Sequence, residues 1–210
     1  MALTRDQVVR AAVEMIDLEG LGGLTIRGLA ARLGVTAPTL YWHVQDKRHL
    51  LDLVAEHVLA QVPDTARPLA DGESVWEWLA EHIRIRRAVL LAHRDSVQVV
   101  AGNRPTADSL PQIEQTLRVL VGAGLDPAEA VRVLTALGSY LLGDVLETQA
   151  AQDRVDGGPD GFDPAAFPLV AAAAGGARDE DDRFEEGLGL MLDGLRARMA
   201  SRAARTGEPT

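Results

Sequence analysis

Tyr41, Trp42 and His43 stand side by side, two residues after Thr39 and four before Lys47, the only lysine in the chain. Two large rings, an imidazole, a hydroxyl and a cation this close together suit contact with bases and phosphates better than burial in a core. Arg27, further upstream, adds a second cation. Other residue sets with chemical potential fail on spacing. His93, Asp95 and Ser96 are triad residue types, but read on one helix they cannot converge, because positions two apart point away from each other. His49 with His57, or Glu56 with His57, lacks a third ligand at a spacing that would close a metal site. The Gly20–Gly23 run precedes a short helix but follows no strand, so it does not read as a phosphate loop. No catalytic residue, metal or cofactor is expected.

The stretch Leu24–Val44 positions the aromatic cluster. Thr25 is a hydroxyl N-cap for a helix to about Leu33, with Ile26, Leu29, Ala30 and Leu33 on one face. Gly34 can take the left-handed conformation that ends it. Thr36 then caps a second short helix with Pro38 in its first turn, where a missing N–H costs nothing. Two short helices across a glycine turn form the helix-turn-helix pattern, whose second helix enters the major groove of DNA. Upstream, residues 4–19 read as an amphipathic helix through Val8, Val9, Ala12, Met15 and Ile16. Downstream, Asp46 caps a helix to about Gln61, whose start at Lys47 suits a phosphate.

The segment from about Thr4 to Val58 resembles the DNA-binding domain of the TetR family of transcriptional regulators. The run LYWHVQDKRHLL is especially similar to the tetracycline repressors within it. The likeness recurs at Asn103–Pro105 and at Leu141–Gln149. It implies DNA contacts from Thr25, Arg27, Pro38, Thr39, Tyr41, Trp42, His43 and Lys47. Ala37 stands where the tetracycline repressors have a glutamine able to pair with adenine, so the operator should differ there. It also implies a homodimer whose recognition helices lie roughly 34–36 Å apart on a near-palindromic operator.

Composition fits a globular protein of one large or two small domains, 210 residues with 47% hydrophobic and 25% charged. With no cysteine and no run of about 18 apolar residues, a cytoplasmic location is expected. The net charge of −10 is unevenly placed: residues 1–61 hold six Lys/Arg against seven Asp/Glu. The acid therefore lies mostly outside the DNA-reading segment, where Arg27, Lys47 and Arg48 cluster.

Pro63 and Pro68 bracket a polar boundary. Beyond it a helix from Ser74 to about His93 carries Val75, Trp78, Leu79, Ile83 and Val89. Its Arg84, Arg86 and Arg87 read as a solvated face opposite Glu73, Glu77 and Glu81. A short helix reaches Val100. A helix over 107–121 turns Leu110, Ile113, Leu117, Leu120 and Val121 inward, and Asp126-Pro127 starts the next. That helix, 127–150, is apolar on more than one side and must be buried on more than one side, which suits a homodimer seam. Residues 151–180 read as a mobile loop with a short helix at 164–173. A last helix runs from Asp179 to about Met199, and the resemblance implies that these two long helices form a four-helix bundle with their copies.

The expected fold is all-α: a helix-turn-helix DNA-binding domain at 1–62, a helical effector-binding and dimerisation domain at 63–203, and a disordered tail at 204–210. By resemblance, Arg104 and Pro105 match a turn that transmits drug binding, and Glu147 matches a carboxylate that helps hold magnesium through water. Val100 replaces the histidine that binds magnesium directly, Pro63 replaces a drug-contacting histidine, and His82 stands in place of an asparagine. The expectation is a repressor released by a metal-free organic molecule, such as an aromatic polyketide-like drug, in a pocket lined by His82, Arg86, Val100, Arg104, Pro105, Thr116, Ser139 and Glu147. A regulator controlled by a protein partner or by no ligand, and an all-α enzyme, are the rival readings.

Overall fold

The computed structural model describes residues 3–62, 67–103, 105–152, 163–175 and 179–206. These residues form ten α-helices and one 3-10 turn, with no strand among them. The chain divides into two compact units, residues 1–145 and 146–210.

The first unit opens with a head of short helices. Helix α1 (Arg5–Glu19) starts at a capping box: the Thr4 hydroxyl accepts from Gln7 N–H and the Gln7 side chain accepts from Thr4 N–H. Val8, Ala12 and Ile16, one turn apart, are buried, and α1 packs against the 3-10 turn Leu21–Gly23, α2 and α4. Helix α2 (Ile26–Arg32) is capped by Thr25, whose hydroxyl accepts from Gly28 N–H at 3.0 Å. Its end has a glycine-specific geometry. Gly34 has φ +68, Gly34 N–H donates to Ala31 C=O and Val35 N–H donates to Ala30 C=O. This paired closure satisfies two orphan carbonyls and turns the chain at once. Helix α3 (Ala37–Leu40) follows with Pro38 in its first turn, and Leu40 is fully buried against the head.

Helix α4 (Lys47–Leu59) is capped by Asp46, whose carboxylate accepts from His49 N–H at 2.7 Å. Leu50, Val54, Ala55 and Val58 form its buried stripe. It packs on α1, α5 (Val75–Leu91) and α6 (Ser96–Val100), so it belongs to both the head and the helical body. Helix α7 (Leu110–Gly122) buries Thr116, Val119 and Leu120. Of the residues expected to face inward Leu120 is buried, while Leu110 and Val121 at the two ends of the helix are exposed. Helix α8 spans Pro127–Gln152, and within the first unit Ala130, Val133, Leu137, Leu141 and Val145 make its buried stripe.

The arginines of α5 do not form the solvated face expected of them. Arg87 is buried, and its Nε donates to Asp144 of α8 at 2.6 Å. Glu73 and Glu81 instead meet Arg67, which lies outside the helix. Only Arg84 of the three is fully exposed. The turn after α5 is also different: α5 ends at Leu91, so His93 and Asp95 lie in a bend, with Asp95 at φ 54. His93 Nδ1 faces Asp17 at 3.0 Å, Asp95 accepts from Leu21 N–H at 2.7 Å, and Ser96 Oγ donates to Leu90 C=O. The triad residue types are thus separated by three different structural contacts.

In the second unit, α9 (Pro168–Gly175) carries exposed Leu169 and Val170. Helix α10 (Glu180–Thr206) buries Phe184, Leu188 and Leu192, one turn apart. It runs beyond the expected end near Met199, through an Arg- and Ala-rich segment, and takes in residues 204–206, which were expected to belong to the tail. The expected loop at 153–162 and 176–178, the tail beyond Thr206, Pro63 and Arg104 lie outside the described residues. No helix among the described residues is long and apolar enough to cross a membrane.

Candidate nucleic-acid interface and ligand cavity

The head presents its aromatic cluster outward on a buried anchor. Leu40 and Val44 are buried, while between them Tyr41 is 54% exposed and Trp42 87% exposed. His43 and Val44 N–H both donate to Leu40 C=O, so the chain stays coiled past the end of α3 and holds the two rings at the surface. The two adjacent exposed rings offer a flat apolar surface beside the half-buried imidazole of His43.

Thr25, Arg27, Pro38 and Lys47 are also exposed, and Thr39 and His43 are half-buried. One contact here differs from expectation. The Thr36 hydroxyl makes no backbone cap; it pairs with the Thr39 hydroxyl at 2.9 Å. Lys47 Nζ donates to Leu24 C=O at 2.7 Å, which pins the start of α4 to the residue before the α2 cap. Its remaining ammonium protons are available to a phosphate. Arg48 turns to the body instead, with Nη2 donating to Gly102 C=O at 2.6 Å and pairing with Asp52.

Behind the head, α4, α5, α7 and α8, with Val100, Asn103, Pro105, Asp108 and Ser109, border an open-mouthed cavity of about 500 Å³, within the range of small-molecule sites. Five of the expected lining residues, His82, Arg86, Val100, Pro105 and Thr116, do line it. Ser139 does not: it lies one residue, about 100° of helix, beyond the lining residue Gly138, and its hydroxyl donates to Thr135 C=O on an exposed face. Glu147 is exposed and belongs to the second unit. Sequence reasoning missed Glu56, Leu59 and Ala60 of α4 and Gln112 of α7. The second apolar side of α8 is accounted for in part here, since Val131, Leu134 and Gly138 form one wall.

The polar part of the wall centres on α5. His82 is buried and stacked on Trp78, with ring centroids 5.3 Å apart. Arg86, one turn on, brings Nη1 to 3.5 Å from His82 Nε2, and burial pushes its guanidinium below the ordinary arginine range. Glu56 faces the same space, but its two oxygens accept from Thr106 N–H at 2.6 Å and from the Thr106 hydroxyl at 2.7 Å. Among the described residues no group of three or more His, Cys, Asp or Glu converges to hold a metal ion. Val100 puts an isopropyl group on the wall where the resemblance would require an imidazole, so these residues do not fit a magnesium held by a histidine.

The sequence profile described as "Bacterial regulatory proteins, tetR family" matches residues 8–54, and that of the "Tetracyclin repressor-like, C-terminal domain" matches residues 67–199. The tetracycline repressor protein class A from transposon 1721 of Escherichia coli is 40% identical over 202 residues, 93% of this chain and 92% of its own. Apo ActR from Streptomyces coelicolor is 31% identical and superposes with a TM-score of 0.83 over 97% of this chain and 100% of that one. ActR in complex with actinorhodin superposes with a TM-score of 0.80 at 30% identity, over 94% and 98% of the two chains. This chain therefore belongs to the TetR family: it is a DNA-binding, ligand-responsive transcriptional regulator and not an enzyme.

Proposed function

We propose that the protein is a cytoplasmic homodimeric repressor that holds a near-palindromic operator and lets go when an aromatic, metal-independent organic molecule enters the cavity of each subunit. The division of labour follows residues 1–62 for DNA and 63–203 for effector and dimer. On the DNA side, Tyr41, Trp42 and Pro38 are read as base and methyl contacts, Arg27, Thr39 and His43 as base or phosphate contacts, and Thr25 and Lys47 as phosphate contacts. With Ala37 unable to pair with adenine as a glutamine would, the preferred operator departs from that of the tetracycline repressors.

The observation that carries the reading is the shared helix. Helix α4 lines the cavity at Glu56, Leu59 and Ala60, and its other end is tied to the DNA-reading motif through Lys47 and Leu24. A ligand that prefers a different tilt of α4 shifts the population away from the DNA-competent arrangement, by as much as its affinity for the two states differs. A regulator without a ligand would pack these helices solidly, and they instead surround about 500 Å³. The Trp78–His82 stack and the apolar wall suit a flat ring system. The relative whose structure is described as a complex with actinorhodin supports that class. The lack of an imidazole at Val100 weighs against a magnesium chelate.

The test is a gel shift of the purified protein on the DNA flanking its own gene, with magnesium–tetracycline and with metal-free polycyclic aromatics added in turn. Release by the second group and not the first is the expected result. Release by sub-micromolar magnesium–tetracycline would remove the metal-independent part of the reading. Absence of any shift at low salt would remove the repressor reading.

A further inference from the structure

We propose that Arg86 is the receptor for an anionic group, so that the cavity takes a flat organic acid whose carboxylate or comparable anion sits on the guanidinium beside His82. The inference rests on the ligand-cavity reading and narrows it to a charge class.

Arg86 is unlike the other arginines of the first unit that the structure pairs. Arg87, its neighbour, is matched by Asp144, Arg67 by Glu73 and Glu81, Arg48 by Asp52, and Arg32 by Glu14. Arg86 has no carboxylate within ion-pair distance among the described residues; its contact is the 3.5 Å approach to His82 Nε2. It is half-buried by surface area, and its place in the lining puts that surface on the cavity wall. A guanidinium stays protonated under all ordinary conditions, so burial leaves a charge poorly solvated and does not neutralise it. The desolvation that lowers its proton affinity has the same cause.

The acids that share the wall do not supply the missing partner. Glu56 turns one oxygen to the Thr106 N–H and the other to the Thr106 hydroxyl and makes no ion pair with Arg86, and Asp108 is exposed to solvent. Arg86 therefore leaves room at the cavity wall for an anion to accept from two parallel N–H donors of its guanidinium. The adjoining apolar wall, with Ile83, Ile113, Leu117 and Leu134, receives the ring system. The Trp78–His82 stack fixes the α5 side of the site, so the guanidinium is held one turn from a rigid aromatic pair. A ligand that carries its own cation would place like charges together and is disfavoured by the same geometry.

Two fluorescent probes with one skeleton separate charge from shape: 8-anilinonaphthalene-1-sulfonate and its neutral parent N-phenyl-1-naphthylamine. Titrated into the full-length protein, the sulfonate is expected to bind roughly tenfold tighter than the parent, the scale of one charge-assisted contact. Arg86→Met should bring the two affinities within about threefold, and Arg86→Lys should restore part of the preference. Circular dichroism and Tm of each variant establish that it is folded. Val100→Trp, which fills the cavity, should abolish binding of both probes.

Equal affinities in the parent protein, or a sulfonate preference that survives Arg86→Met, overturn the proposal. If Val100→Trp blocks a neutral probe that binds as well as the sulfonate, the anion receptor fails alone and the cavity reading stands. If neither probe binds, or both bind Val100→Trp undiminished, the ligand-cavity reading fails with it.

Discussion

Glu56, in the last turn of α4, accepts the backbone N–H of Thr106 at 2.6 Å and its hydroxyl at 2.7 Å, and the same residue forms part of the cavity wall. One carboxylate therefore fastens the loop before α7 to the helix that runs into the DNA-reading head. At the other end of that helix, Asp46 caps the first turn and Lys47 grips Leu24. Spatial continuity of this kind becomes a mechanism only when its two ends are shown to respond together.

Thr106→Val separates the fastening from the fold. It keeps the backbone hydrogen bond and removes the hydroxyl, leaving one oxygen of a carboxylate in the wall without its donor. The loss should be about 1.5–3 kcal/mol, the range for a hydrogen bond to a charged group, read as a lower urea midpoint with unchanged slope. Operator affinity without ligand should be unchanged, while the ligand concentration that releases half the DNA should move. A variant as stable as the parent, with an identical release curve, would show that the contact transmits nothing.

The reader was legible in the sequence because capping and turn chemistry are local. Thr25, Asp46 and Gly34 each act on residues three to five positions away, and each does so in the structure; the cap expected of Thr36 is the exception, its hydroxyl being taken by Thr39. The cavity was legible only in part. Arg87 was read as part of a solvated face with the glutamates around its own helix, yet its partner Asp144 is 57 residues distant, and nothing in a single helix reveals such a pairing. Ser139 and Gly138 differ by one residue, and the rotation of α8 that decides between them is set by packing. Glu56 lay in a segment read wholly as DNA-binding, so its second face went unnoticed. On α7 the middle of the expected stripe holds, with Leu120 buried and Ile113 and Leu117 on the cavity wall, while Leu110 and Val121 at its ends are exposed.

The outward rings and the inward anchor of the recognition segment should behave oppositely. Trp42→Ala and Tyr41→Ala remove exposed side chains, so stability should stay within about 0.5 kcal/mol of the parent. DNA affinity should fall by roughly tenfold or more, as expected on losing a contact worth 1–3 kcal/mol. Leu40→Ala empties a fully buried site and should cost about 2–5 kcal/mol of stability. Fluorescence anisotropy with operator DNA, paired with thermal melts, distinguishes the two classes. If Trp42→Ala binds every DNA as well as the parent, the recognition segment has been misplaced.

The buried pair between Arg87 and Asp144 should be costly to break and cheap to replace. Both side chains are nearly inaccessible, at 9% and 4%. Asp144→Ala leaves a charge inside the protein, so a loss of about 3–5 kcal/mol is expected. The double variant Arg87→Met, Asp144→Leu removes both charges and should recover most of that loss. A double variant less stable than Asp144→Ala alone would mean that the pair holds α5 and α8 together through geometry that apolar groups cannot reproduce.

Glu73 gives the molecule a stability that depends on acid in a defined window. Arg67 donates to both of its oxygens, Nη1 at 2.6 Å and Nη2 at 2.5 Å, and Ala70 N–H donates at 2.9 Å. Led by the Arg67 hydrogen bond, these contacts lower the carboxyl from its ordinary 4.5 to about 2. A folded-state value below the unfolded one means that the unfolded chain takes up the proton first as acid is added. The contribution is therefore complete above about 4.5, declines as pH falls, and is gone below about 2. Glu73→Gln should flatten this part of the stability profile while leaving stability above pH 6 only modestly reduced, because the pair is partly exposed, Arg67 at 35%, and so partly screened. Carbon-13 shifts of the Glu73 carboxyl followed from pH 6 downward provide the direct reading. A midpoint near 4.5 would show that the Arg67 grip does not persist in solution, and the flattening expected of Glu73→Gln would vanish with it.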